Sequence, residues 1–298
     1  MTGVVGPIYR GAAAVAAEIA FRVPALERPL LRIGVPLWRR KYAGRFYRSA
    51  VGRYVERLRG AGRQYRRLLV GGVPLVLDVT EFTTSTLFFG DEAYEPATTE
   101  YLRNRLTPGS VFVDVGANHG YFTMLGAAIV GARGRVLAFE PNPPVFEQLT
   151  THVRLNGFTD RVALFRTALG DRVVESAPFF IPAWIGNSGV ATLTPDERPI
   201  AEGLLARDKR ITVAVDTLDR TLAAASVDRI DLVKIDVEGA EALVVGGMRR
   251  SLAAGRIAAI VCETVWDSPA DRALRDAGFS ARPLEACGPG ANIAYERG

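Results

Sequence analysis

Short apolar runs and helix-like segments alternate along the chain from residue 111 onwards. The first run, VFVDV at 111–115, has the length and β-branched content of a strand that is buried on both faces. The apolar stretch from Tyr121 to Val130 predicts a helix, and a second strand is expected from Val136 to Phe139. Because parallel strands need a crossover between them, this order predicts a strand–helix–strand unit of an α/β fold.

The same alternation continues to the end of the sequence. The pattern predicts helices at 143–156, 240–254 and 269–277, strands at 162–166, 232–235 and 257–263, and an antiparallel pair of strands at 279–284 and 292–296. Gly157 is expected to end the first of these helices, since glycine readily adopts the left-handed conformation found at helix ends.

The stretch before this unit has a different pattern. Residues 68–79 read as a hairpin around the pair Gly71-Gly72, and residues 83–89 are expected to form a further strand. A helix is predicted from about Tyr94 to Leu106, where Thr107-Pro108-Gly109 ends it.

Residues 172–215 also depart from the alternation. They contain three strand-like pieces, at 175–181, 189–193 and 211–215, where a plain doubly wound domain would have one helix. An insertion at this edge of a parallel sheet lies where substrates bind. Because binding residues concentrate on such loops, the candidate substrate contacts here are Trp184, Asn187 and Ser188.

Charge separates the N-terminal segment from the rest. The first 70 residues carry 15 basic and 3 acidic side chains, whereas the remainder carries 22 basic and 29 acidic ones. Apolar positions recur there at helical spacing, at Tyr47, Val51, Tyr54, Val55 and Leu58, with arginines between them. The pattern predicts a basic, amphipathic N-terminal extension over residues 1–67.

Three roles are open for this extension. Residues 1–62 could associate with an anionic membrane surface, or the helix could be an arm that packs on protein, including a second copy of the chain. Nucleic-acid binding is the third role, but no recognised motif supports it, and no nucleic-acid partner is expected. The apolar run 11–21 contains Glu18 and is too short for a membrane span, and it does not resemble a signal peptide.

Composition fits a globular, intracellular protein. Of the 298 residues, 48% are hydrophobic and 23% are charged, which are ordinary values for a packed domain. The two cysteines, Cys262 and Cys287, make no disulfide framework, so a reducing, cytoplasmic compartment is expected, with peripheral attachment to the inner face of the membrane if the extension binds lipid. Neither histidine has a metal-ligand spacing with the cysteines.

The turn after the first strand carries candidate ligand chemistry. Gly116 and Gly120 let a ligand approach the backbone, and the following helix start offers free N–H groups. Glu140, at the tip of the next strand, can accept the two hydroxyls of a ribose. Asn118 stands where a dinucleotide site needs its middle glycine, and Asp114 would repel a pyrophosphate but attract a sulfonium. The turn therefore favours S-adenosylmethionine, while a strand–helix–strand unit without ligand is the plain alternative.

Four segments carry a resemblance to a known family. VFVDVGANHGYFT, AFEPNP, LVKIDVEGAEALVVGGM and the strand ending in CET resemble the FkbM-type methyltransferases. Members are class I, S-adenosylmethionine-dependent enzymes, mostly O-methyltransferases of sugars, polyketides and other natural products. The resemblance implies a doubly wound, seven-stranded, mostly parallel sheet of Rossmann-like type over residues 68–298, in which 68–109 and 172–215 cover the ligand side.

The turn and the resemblance together predict the cofactor site. It comprises Asp114, Gly116, Ala117, Asn118, His119, Gly120, Tyr121, Phe122, Glu140, Asn142, Ala168 and Asp236. Asp114 and Asp236, the first and last residues of this set, lie on neighbouring strands if the strand of Asp236 adjoins the first strand at the switch point.

Methyl transfer to a hydroxyl also needs a group that accepts the proton of the acceptor. The candidates are Asp236, then Glu238, then His119, and Glu263 on the next strand is expected to contact the acceptor. Lys234 lies on the same side of its strand as Asp236, so an ion pair between them is expected. Mg²⁺ could sit among these carboxylates, but no metal is predicted.

The function expected from the sequence is O-methylation by S-adenosylmethionine. The acceptor would be a hydroxyl of a sugar, a glycolipid or a polyketide-type natural product. The alternatives are an NAD-dependent oxidoreductase of Rossmann type and a membrane-associated protein that keeps the fold without catalysis.

Overall fold

The computed structural model describes residues 15, 18–27, 54, 57–81, 84, 87–88, 94–181, 191–194, 209–287 and 290–297. The chain divides into two compact units, Met1–Leu68 with Val76–Tyr94, and Leu69–Leu75 with Glu95–Gly298. The candidate substrate residues Trp184, Asn187 and Ser188 lie outside the described residues, as does most of the predicted basic helix.

Strands and helices with defined bounds alternate along much of the described chain. The strands are β1 (Tyr65–Val70), β2 (Val73–Asp78), β3 (Val111–Val115), β4 (Arg135–Phe139), β5 (Val162–Phe165), β6 (Ala168–Leu169), β7 (Val174–Ile181), β8 (Lys209–Asp216), β9 (Leu232–Ile235), β10 (Ala259–Thr264), β11 (Ser280–Cys287) and β12 (Gly290–Glu296). The helices are α1 (Pro96–Arg105), α2 (Tyr121–Val130), α3 (Pro143–Leu155), α4 (Leu218–Ala224), α5 (Glu241–Gly246), α6 (Arg249–Ala253) and α7 (Pro269–Asp276), and Pro24–Leu26 forms a 3-10 turn.

A seven-stranded sheet forms the centre of the larger unit, as predicted. Its order is β11-β12-β10-β9-β3-β4-β5, with β10, β9, β3, β4 and β5 parallel and β12 antiparallel to both of its neighbours, β10 and β11. Val113, Val233 and Ile260 on its central strands are fully buried. The apolar runs read as strands because both faces of this sheet are covered.

The hairpin at the start of the domain is also as predicted. Strands β1 and β2 form a two-stranded sheet, and the turn between them is made by Gly71 and Gly72, both with positive φ.

Residues 172–215 add strands rather than a helix, which confirms the pattern read from the sequence. Strand β8 pairs antiparallel with β7 and parallel with β6 in a separate three-stranded sheet. Ala168, Phe179, Val213 and Val215 form its small buried cluster. Thr192 extends this sheet by a bridge to Phe180.

Two expected elements differ in the structure. The strand expected at 83–89 is wrong, because Thr84, Leu87 and Phe88 are helical and buried. The single helix expected at 240–254 is two helices, which separate at Gly247. A Cβ on Gly247 would lie 2.0 Å from the carbonyl oxygen of Gly170, so the backbone there packs against a neighbouring strand end.

The smaller unit contains a buried polar group. Glu27 accepts hydrogen bonds from the Tyr54 hydroxyl and from Arg66, whose Nη2 lies 2.7 Å from Glu27 Oε1. Burial and the Glu27 carboxylate raise the pKa of Tyr54. Tyr54 and Leu58, two residues of the predicted apolar stripe, are buried. Among the helices that the structure describes, none has the length and apolar character needed to cross a bilayer.

Candidate active site

The candidate site lies where the carboxyl ends of β3, β4 and β9 meet. After β3 the chain turns sharply, and the backbone N–H groups of Gly116 and Ala117 donate to the carbonyl of Phe139 at 3.0 and 2.9 Å. Gly116 has a φ of 79°, and a Cβ there would lie 1.8 Å from the carbonyl oxygen of Asp236. Only glycine therefore fits between the tips of β3 and β9.

Glu140 is held at the tip of β4 by two backbone groups. Its Oε2 accepts from the N–H of Asn118 at 2.9 Å, and its Oε1 accepts from the N–H of Asn142 at 2.8 Å. Burial raises the pKa of Glu140 to about 7, against the effect of these two hydrogen bonds. Each carboxylate oxygen can accept more than one hydrogen bond, so both keep capacity for a ligand.

A crevice opens between these strand tips and the three-stranded sheet. Its walls comprise Val115, Gly116, Asn118, Phe139, Glu140, Pro141, Thr167, Ala168, Leu169, Phe179, Ala191, Leu193, Asp236, Val237, Glu238 and Ala240. Five predicted cofactor residues are in this set: Gly116, Asn118, Glu140, Ala168 and Asp236. None of the described wall residues is basic.

The other predicted cofactor residues are not part of the crevice wall. Ala117 bonds to Phe139 through its backbone, and Gly120, with a φ of 90°, precedes the first turn of α2. Tyr121 lies 3.3 Å from Thr99 Oγ1 through its hydroxyl. The side chains of Asp114 and Asn142 are buried, and Asp114 Oδ1 and Asn142 Oδ1 have no hydrogen-bond partner among the described residues.

His119 points into the packing of α3. Its imidazole is buried, with Nδ1 2.8 Å from Gln148 Oε1, and its carbonyl oxygen lies 2.8 Å from Nδ1 of His152. These contacts fix the turn after β3 against α3. The structure therefore does not bring His119 to the crevice wall together with Asp236 and Glu238.

Three carboxylates gather at the ends of β9 and β10. One oxygen each of Glu95, Asp236 and Glu263 lies within 4.8 Å of the others, a spacing that would suit a cation. Asn292 of β12 stands opposite Glu263 in the sheet and donates to Glu95 Oε2 at 3.0 Å. Glu285 of β11 accepts from the backbone N–H of Thr98 at 3.0 Å and thus holds the start of α1 over this edge.

The ammonium of Lys234 already lies beside this group. Lys234 Nζ is 2.9 Å from Asp236 Oδ2, which confirms the predicted ion pair, and we assign no metal. Glu263 is mostly buried next to Asp236, Glu238 and Glu95. Its burial and these neighbouring carboxylates raise the pKa of Glu263 well above its usual range.

A comparison with protein-family models identifies the family of this chain. The model described as the methyltransferase FkbM domain matches residues 114–280. The chain belongs to the FkbM methyltransferase family. The three strand tips at the crevice lie within the matched region.

The matches between this FkbM chain and its curated relatives span only part of each relative. The AMB antimetabolite synthetase AmbE of Pseudomonas aeruginosa is 29% identical over 168 residues, which is 48% of this chain and 8% of that protein. Methyltransferase sdnD of Sordaria araneosa is 28% identical over 181 residues, 54% of this chain and 66% of that protein. The chain thus spans less than two thirds of these relatives. The solved structure of methyltransferase FkbM from Methylobacillus flagellatus is 14% identical, with a TM-score of 0.43 over 67% of this chain and 51% of that one.

A second cavity of the FkbM domain adjoins the crevice. It has a volume of about 320 Å³ and shares Glu238 with the crevice. Its walls comprise Thr194, Glu238, Gly239, Glu241, Ala242, Leu243, Glu263, Thr264, Val265, Ser268, Pro269, Ala270 and Gly290. Glu238 has a φ of 55°, and the helix after it begins only at Glu241. Glu241, not Glu238, is therefore the acid of the first helical turn, where it accepts from the N–H of Gly239 at 2.9 Å.

The sequence did not indicate every group at the site. Glu95 lies at the start of a predicted helix, but its place beside Asp236 depends on Asn292 and Glu285, about 190 residues further along the chain. Phe179 and Leu193 line the crevice from the inserted sheet. The alternating pattern of 175–181 was the available signal for Phe179.

Proposed function

We propose that the protein is an S-adenosylmethionine-dependent O-methyltransferase that acts on a hydroxyl of a sugar, a glycolipid or a polyketide-type natural product. The observation that carries this proposal is the polarity of the crevice. The walls offer the carboxylates of Glu140, Asp236 and Glu238 as hydrogen-bond acceptors, and no described wall residue is basic.

This polarity fits the sulfonium cofactor better than a dinucleotide. S-Adenosylmethionine brings an ammonium, a sulfonium and two ribose hydroxyls, all of which suit acceptors. The hydroxyls would bond to Glu140. The diphosphate of NAD would instead face three acceptors without a compensating cation among the described walls.

Binding requires a movement of the crevice walls. The crevice encloses about 50 Å³, whereas pockets for small ligands are roughly 300 Å³ or larger. Phe179 and Leu193 of the inserted sheet form the wall opposite the strand tips. We expect this wall to move outward when the nucleoside enters.

The carboxylates Asp236, Glu238 and Glu263 act on the methyl acceptor. When bound, the cofactor supplies an electrophilic methyl group on its sulfonium. Asp236 has Oδ2 bound to Lys234, which leaves Oδ1 to take the proton of the acceptor hydroxyl as the oxygen attacks. Glu238, at the junction of the two cavities, is the second candidate for this role. Glu263, protonated near neutral pH because its pKa is raised, can donate a hydrogen bond that orients the acceptor.

Ligand titration tests the cofactor half of the proposal. Purified protein is titrated with S-adenosylhomocysteine and with NAD by calorimetry. We expect binding of S-adenosylhomocysteine alone, and binding of NAD alone would end the methyltransferase case. The acceptor half is tested by mass spectrometry of glycolipids and secondary metabolites from cells that lack the gene. One species should lose the mass of a CH₂ group relative to wild type, and incubation with the protein and cofactor should restore it.

A further inference from the structure

Lys234 is a buried cation directly beneath the candidate site. It lies on β9, the strand next to β3 at the centre of the sheet, and its side chain is 2% exposed. Its Nζ is 2.9 Å from Asp236 Oδ2 and 4.7 Å from the centre of the Phe122 ring. A lysine in this position has given up its hydration, so its charge must be compensated by the groups around it.

The partner of Lys234 across the sheet is Asp114. The two residues are paired in the register of β3 and β9, so their side chains lie on the same face. Asp114 Oδ2 accepts a hydrogen bond from Thr123 of α2 at 2.5 Å. Thr123, Asp114, Lys234 and Asp236 therefore form one line of polar groups from the helix behind the cofactor turn to the tip of β9.

Four carboxylates of the described residues act electrostatically on Lys234. Asp114 lies on β3, Asp236 follows β9, Glu95 precedes α1, and Glu263 lies on β10. Burial opposes the charged form of Lys234, but the attraction of Asp236, Glu95 and Asp114 outweighs it and raises the pKa of the lysine. Burial raises the pKa of Asp114, and the Lys234 ammonium opposes that rise.

We propose that Lys234 is a positioning residue for methyl transfer: its ammonium holds the Asp236 carboxylate, on the acceptor side, and acts electrostatically on the Asp114 carboxylate, on the cofactor side. This inference rests on the proposed function of the site. Lys234 binds Oδ2 of Asp236, so the carboxylate cannot turn, and Oδ1 stays available to the acceptor. The fixed positive charge also offsets the repulsion between the carboxylates of Asp114 and Asp236.

The matched variants are Lys234→Met, which keeps most of the volume and removes the charge, and Lys234→Arg, which keeps the charge. The first measurement needs no ligand: the carboxyl carbons of aspartate are labelled with carbon-13 and titrated by NMR in the full chain. In Lys234→Met we expect the pKa of Asp114 to rise further, by about one unit or more, because an opposite charge has been lost. Lys234→Arg should stay near the wild-type titration. An unchanged Asp114 titration in a folded Lys234→Met protein would overturn the proposal.

The second measurement follows transfer of labelled methyl from S-adenosylmethionine into the small-molecule extract of cells that lack the gene. Lys234→Met should lower transfer about a hundredfold and move the acid limb of its pH profile to higher pH, and Lys234→Arg should recover part of the rate. In an Asp236→Asn background the same change should cost less than about threefold, since the group that it positions is already altered. Equal losses in both backgrounds would show that the lysine does not act through Asp236.

The two measurements separate this inference from the function on which it rests. If wild-type protein binds no S-adenosylhomocysteine and transfers no methyl group, the proposed function fails. The titration of Asp114 still decides whether the charge of Lys234 changes the pKa of Asp114.

Discussion

The α-carbon of Gly116 packs against the carbonyl oxygen of Asp236, so that a Cβ on Gly116 would lie 1.8 Å from that oxygen. The turn proposed to receive the cofactor and the strand tip that carries the proposed base are thus in direct backbone contact. Gly116 also has a φ of 79°, which costs an ordinary residue about 1–2 kcal/mol.

This contact makes Gly116→Ala a severe change. We expect a loss of about 3 kcal/mol or more in the free energy of unfolding, because backbone strain and a clash with a main-chain atom add together. Gly157→Ala is the matched control, since Gly157 has a φ of 65° but no atom within 4 Å of the added Cβ. It should lose only about 1 kcal/mol. Chemical denaturation of both variants measures the difference, and equal losses would show that the contact with Asp236 is relaxed in solution.

Cofactor affinity should fall in mild acid because of Glu140. The pKa of Glu140 is raised to about 7, and ribose hydroxyls donate stronger hydrogen bonds to the ionised carboxylate than to the protonated acid. Protonation therefore competes with binding, and affinity is lost as the pH falls through this value. Calorimetry with S-adenosylhomocysteine should give a dissociation constant about tenfold higher at pH 6 than at pH 8.

Two variants check the source of this pH dependence. Glu140→Gln should bind at least about tenfold more weakly at pH 8 and show a flat profile, since a charge-assisted acceptor has been removed. Glu147→Gln, an exposed glutamate on α3, should behave like wild type. Unchanged affinity in Glu140→Gln would remove the ribose assignment.

Asp236→Asn should separate chemistry from cofactor binding. The amide keeps the shape of the side chain but cannot take a proton, so methyl transfer should fall by about two orders of magnitude or more. Affinity for S-adenosylhomocysteine should change by less than about threefold, because the Glu140 side of the crevice is untouched. The exposed Asp228→Asn serves as control for the loss of one negative charge. Full activity in Asp236→Asn would exclude it as the base and leave Glu238 as the candidate.

The N-terminal segment is expected to pack on protein rather than on lipid. Tyr54 and Leu58 of the predicted apolar stripe are buried, and Tyr54 bonds to Glu27 in the same unit. A helix whose apolar face is covered has little left to insert into a bilayer. Flotation with phosphatidylcholine vesicles, with and without phosphatidylglycerol, should show no association at low or high salt. Salt-sensitive flotation that is lost when Arg39, Arg40 and Lys41 are changed to glutamine would favour the membrane role.

The elements of the central sheet could be predicted because local pattern and tertiary environment agree. Strands β3 and β9 begin and end where their apolar runs do, and α2 spans the expected Tyr121–Val130. The strand predicted at 83–89 is wrong because a short apolar run fits a strand and a buried helix equally well. Thr84, Leu87 and Phe88 are spaced as one helical face, and that spacing was the better signal.

The candidate site was predictable where its residues follow strand ends. Glu140 and Asp236 are placed by the strands before them, so their positions follow from the sheet order. Other features depend on contacts distant in sequence. The break at Gly247 comes from a close approach to Gly170, and the burial of His119 comes from its bond to Gln148 of α3. Neither contact leaves a mark in the local pattern.

The hydrogen bonds of Glu285 and Asn292 to the start of α1 limit how far this protein can be truncated. Glu95, Glu285 and Asn292 all lie outside residues 114–280, the stretch that the family shares. A fragment cut to those limits would lose Glu95, Glu285 and Asn292, and with them the contacts that hold the start of α1 beside Asp236. It would also lose the first three residues of β3 and all of β12, the strand that pairs with β10, so the central sheet needs a longer stretch than the matched one.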